Sequence, residues 1–80
     1  MINACVSHEL RNPLNSIISQ NVEKKFLYQE LRDNIENLKI SKYQRMRLDA
    51  LLDQLDRGLK VQDSSANIMS FLVQDLLDHA

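Results

Sequence analysis

Apolar residues recur along this chain at intervals of three and four, the spacing that aligns side chains on one face of an α-helix. Ile2, Val6, Leu10, Leu14 and Ile17 open the series. After Ile18 two tracks compete. One passes through polar Asn21 and Lys24 to Tyr28, Leu31, Ile35 and Leu38, the other through Ile18 and Val22 to Phe26 or Leu27. A shift between such tracks is a stutter, which rotates the apolar face without ending the helix. The polar pair Gln20-Asn21 also fits a local break, and the sequence leaves both readings open. From Tyr43 a second series runs through Leu48, Leu51/Leu52, Leu55, Leu59, Ala66, Met69, Leu72/Val73 and Leu76. Gly58 and the cluster Asp63-Ser64-Ser65 are its weak points, because Asp or Ser makes a good helix N-cap. The rhythm keeps its phase across both, which favours one long helix.

Between the two series, Ser41-Lys42-Tyr43-Gln44 fits a capping box, in which the Ser hydroxyl and the Gln side chain serve each other's backbone donors. The first helix is expected over residues 2–38, a turn over 39–41 with Asn37 or Lys39 in the left-handed conformation, and the second helix over 42–80. Pro13 admits two readings. With Asn12 as N-cap, Pro13 is a first helical residue. Otherwise the helix runs through, with a kink where the ring clashes with the Glu9 carbonyl. The stripe continues upstream of Pro13, which favours the continuous, kinked helix.

One glycine and one proline in 80 residues, with few β-branched and aromatic residues, confirm an all-α chain of long helices and few loops. Eighty residues make at most one small domain. Two helices of this length form an antiparallel hairpin about 55 Å long. One hairpin leaves much of its apolar stripe uncovered, and pairing two into a four-helix bundle covers it. A homodimer is therefore expected.

A net charge of −1, with both signs interspersed, gives no basic footprint for nucleic acid. No apolar run approaches the roughly 20 residues of a bilayer span, and no signal peptide opens the chain, so neither membrane contact nor export is expected. Cys5 is the only cysteine and reads as a small packed side chain rather than a reactive thiol. One Cys and two distant His make no metal-ligand spacing.

Chemistry concentrates in Ser7-His8-Glu9-Leu10-Arg11-Asn12-Pro13-Leu14. On a helix, His8 and Asn12 are i,i+4 neighbours on one face. A neutral imidazole can act as a nucleophile, and Glu9 is the adjacent carboxylate that can orient the ring and accept its proton. Asn12 can donate and accept hydrogen bonds one turn away, and Arg11 can offset phosphate charge. A solvated helical Arg is an equally ordinary reading of Arg11. His79 lacks such neighbours and reads as a terminal histidine.

This octet resembles the H-box of sensor histidine kinases, Ser-His-Glu-Leu-Arg-Thr/Asn-Pro-Leu, at every position. Ile2 stands where that family usually has Phe. Phe71-Leu72-Val73-Gln74-Asp75-Leu76-Leu77-Asp78 resembles the close of the family's second helix; the middle of the chain carries no matching motif. The resemblance implies a dimerisation and histidine-phosphotransfer domain of the HisKA type. His8 would be the phosphoacceptor, Glu9 the general base, Asn12 the group that places a phosphoryl or an attacking water, and Pro13 a kink. It further implies that a receiver domain docks over Asn15, Ser19, Phe71 and Asp75 to take the phosphoryl group onto an aspartate. ATP and Mg2+ would be bound by a separate catalytic domain whose lid needs glycines; with Gly58 alone, this chain is not expected to contain it or to act as a kinase by itself. A start seven residues before His8 suggests a piece of a larger, cytoplasmic or membrane-associated sensor. Two other readings stand beside this one: a structural helical hairpin of a degenerate kinase in which His8 is never phosphorylated, and a stand-alone phosphotransfer bundle. The full set His8, Glu9, Arg11 and Asn12 argues against both.

Overall fold

A computed structural model describes residues 4–79, the side chains of residues 4, 5 and 7 excepted. Two helices, α1 (Ala4–Glu36) and α2 (Lys42–Asp78), pack against each other as a hairpin with extents of 59 × 15 × 13 Å. Helix α1 runs through Pro13 and through Gln20-Asn21 without a break, and α2 runs through Gly58 and Ser64. Ile2 and the side chain of Cys5 lie outside the described residues.

The face of α1 that meets α2 draws on both tracks: Ile18 is half-buried, and on the track through Asn21 Tyr28 is half-buried while Leu31 and Leu38 are exposed. Leu14, Asn21 and Ile35 are buried, whereas Val22 and Phe26, on the other track, are exposed. On α2 the single apolar series divides in two. Leu52, Leu59 and Ala66 are buried against α1, while Leu51, Leu55, Met69, Leu72 and Leu76 remain exposed on one flank. Helical spacing explains the division: a helix with one neighbour covers only the positions that point at it, and those one residue away face outward.

Polar pairs fix the register. The Asn21 amide donates to the Gln62 carbonyl at 3.2 Å. Lys25 pairs with Asp63 at 2.8 Å and Arg32 with Asp53 at 3.0 Å. Exposed ion pairs contribute little stability, yet like these they select one alignment over its neighbours. Arg32 also donates from Nε to the Tyr28 hydroxyl at 2.8 Å, and that bond, with Asp53, raises its guanidinium above the ordinary value.

At the turn, the Ser41–Gln44 capping box forms as its sequence requires: Ser41 Oγ accepts from the Gln44 N–H at 3.1 Å, and Gln44 Oε1 accepts from the Ser41 N–H at 3.3 Å. The end of α1 differs from expectation. No described residue other than glycine has positive φ, so neither Asn37 nor Lys39 takes the left-handed turn. The terminal carbonyls find other donors. The Asn37 and Leu38 N–H groups reach back to Asn34 and Ile35, and Arg45 of α2 donates to the Ile35 carbonyl at 3.4 Å and to the Leu38 carbonyl at 2.7 Å. A guanidinium from the opposite helix thus does the work that a left-handed cap would do.

Candidate functional site

Between Ala4 and Leu14 the octet forms the first turns of α1. The helix continues through Pro13, which lacks an N–H, so the Glu9 carbonyl loses its intrahelical donor. Leu14 is buried against α2 and anchors this segment. His8, Glu9 and Asn12 are exposed, and Arg11 is half-buried. His8 and Asn12 share a face one turn apart. The side-chain hydrogen bonds among the described residues do not include His8, Glu9 or Asn12. Successive residues on a helix point about 100° apart, which directs Glu9 away from His8 in the resting chain.

Arg11 points toward α2, and its guanidinium donates to Gln74 Oε1. Gln74 Nε2 in turn donates to Asp78 at 2.9 Å. This contact draws the two ends of the chain together at the level of the octet. Interpolating between the Arg11–Gln74 and Asn21–Gln62 pairs brings Phe71 level with Pro13 and Leu14. Asn15, Ser19, Phe71 and Asp75 are all exposed. Asp75 lies 3.4 Å from His79 Nε2. Sequence reasoning did not single out Gln74. Only a register can reveal it, and the one advance signal was that Arg11 is the sole lysine or arginine among the first 22 residues.

An open apolar groove of about 320 Å³ runs beside the octet, lined by Leu10, Pro13, Leu14, Ile17, Met69, Leu72 and Val73. Nearer the middle of the hairpin the groove has a separate counterpart over Leu27, Leu31 and Leu55. Its α1 residues fall on a different face from His8 and Asn12, so the apolar surface and the polar site do not compete for the same space. Among the described residues, no group of three His, Cys, Asp or Glu side chains could hold a metal ion. No helix there is long and apolar enough to cross a membrane. No family model, curated protein or solved structure matches the chain.

Proposed function

We propose that this chain is the phosphoacceptor and dimerisation module of a sensor histidine kinase acting in the cytoplasm. The observation that carries the reading is the division of α1 into two surfaces. His8 and Asn12 stand exposed on one, and the uncovered apolar groove occupies another. A module that must both pair with its copy and present an imidazole to visiting domains needs this separation.

In the proposed reaction a separate catalytic domain brings ATP and Mg2+ to His8. A ring nitrogen attacks the γ-phosphorus; the N–P bond forms as the bond to the bridging oxygen breaks and ADP departs. The proton on the other ring nitrogen passes to Glu9, which a rotamer change brings to the ring. An aspartate of a receiver domain then attacks phosphorus, breaking the N–P bond and returning the imidazole to its neutral form after protonation. Asn12 positions the phosphoryl group, or a water when the module promotes dephosphorylation. Receiver docking over Asn15, Ser19, Phe71 and Asp75 places the aspartate in line with His8.

The surface area supports the second copy. The chain exposes 6369 Å², whereas a compact chain of this mass exposes about 5,000 Å². Packing two grooves together removes that excess.

The test mixes the chain with radiolabelled ATP and the catalytic domain of a histidine kinase. Acid-labile phosphate on the wild-type chain is expected, and none on His8→Gln at unchanged helix content. Label on the Gln variant would place the acceptor elsewhere and end this reading.

A further inference from the structure

We propose that Gln74 is a positioning residue that holds Arg11 across the open end of the hairpin, and that a phosphoryl group arriving at His8 takes Arg11 from it. The proposal rests on His8 being the phosphoacceptor.

Charge distribution is the starting point. Arg11 is the only lysine or arginine in the first 22 and the last 20 residues, which also hold Glu9, Asp63, Asp75 and Asp78. Asp63 is matched by Lys25. A phosphoryl group at His8 therefore enters a locally acidic region with one permanent cation close by, three residues along the same helix. In the resting chain that cation is engaged: its guanidinium donates to Gln74 Oε1, and Gln74 is itself steadied by donation to Asp78.

The two acceptors are unequal. Gln74 offers one neutral oxygen on an exposed side chain, a weak partner. A phosphoryl group offers three oxygens and roughly 1.5 to 2 negative charges, and its bonds to guanidinium are charge-assisted and about twice as strong. Arg11 moves to the phosphoryl group, and Gln74 keeps only Asp78. Gln74 thus competes with the incoming group for Arg11, and its chemistry sets how readily the group is accepted.

Phosphoramidate tests this without a catalytic domain. The imidazole nitrogen displaces ammonia from phosphorus: one P–N bond breaks, another forms, and the proton lost by the ring leaves on the ammonia. The rate is followed by phosphorus NMR and the site by mass spectrometry, in wild type, Gln74→Leu and Gln74→Glu. Leu frees Arg11 and should speed labelling about three-fold; Glu pairs with it and should slow labelling about three-fold, the size of one exposed hydrogen bond. Adding Arg11→Ala to each variant should erase both differences, as expected of a coupled pair. Circular dichroism should show equal helix content throughout. Shifts in the same direction, no shift, or differences that survive Arg11→Ala would overturn the role of Gln74 alone. A wild-type chain unlabelled at His8 would overturn the phosphoacceptor reading and this proposal with it.

Discussion

On the proposed reading, Glu9 and Asn12 divide the labour between two steps, and that division is testable. In phosphate acceptance the ring must lose a proton, which needs a base; in dephosphorylation the nucleophile is water, which needs a polar group on the His8 face. Glu9→Ala is expected to slow acceptance about 10²–10³-fold and Asn12→Ala to slow hydrolysis by a similar factor, each sparing the other step by comparison. Rates of both steps in reconstituted mixtures check this, and equal losses in both would remove it. Asn21 is the other residue with a clear consequence. It occupies a core position, 5 % exposed, with its amide on a carbonyl of the opposite helix. Such a buried amide costs stability and specifies alignment. Asn21→Leu is expected to raise stability by about 1 kcal/mol, or several degrees in Tm, while broadening the NMR spectrum through alternative registers. A lower Tm with a single sharp spectrum would show that the amide stabilises rather than selects.

Both helices obey local rules, and those rules were legible in the sequence. The capping box at Ser41 and Gln44, the continuity of α1 past Pro13 and the continuity of α2 past Gly58 all follow from neighbours in the chain. What was not legible depends on the partner helix. Of the two apolar tracks, through Asn21 or through Val22, α2 covers some positions of each: Asn21 and Ile35 of one are buried and Ile18 of the other is half-buried. The Arg45 cap on α1 replaced the expected left-handed residue because a side chain ten positions away can reach the same carbonyl. The octet could be read residue by residue, but the hold of Gln74 on Arg11 spans 63 positions and appears only with the register. Gly58 shows how an element can be probed directly. A Cβ built there meets nothing within 4 Å, and its φ is not positive, so nothing within the hairpin requires glycine. Gly58→Ala should therefore stabilise α2 by about 0.5–1 kcal/mol in thermal melts. A loss instead would mean that a second copy approaches the backbone at that point.

As a whole, the molecule is a rod. Its radius of gyration is 18.1 Å, against about 12 Å for a compact chain of 80 residues. Pairing two rods along their grooves is expected to bury about 2,000–4,000 Å² in total, within the range of obligate homodimers. Thermal midpoints should then rise with protein concentration, because association is linked to folding. A folded monomer by sedimentation at micromolar concentration, with a concentration-independent Tm, would rule this out. The clamp of Arg45 on the end of α1 also gives the rod a direction in time. Closing the ten-residue span from Ile35 to Arg45 costs little loop entropy, whereas bringing Arg11 to Gln74 first would mean closing 63 residues. Pairing therefore starts at the turn and zips toward His8, and opening runs the other way. Within the two helices, amide hydrogen exchange should be slowest in the turns that flank the loop and quicken steadily toward both termini. The end of the rod that carries the imidazole is then the last to close and the first to yield, which on the proposed reading gives a visiting domain the least costly part of the molecule to rearrange.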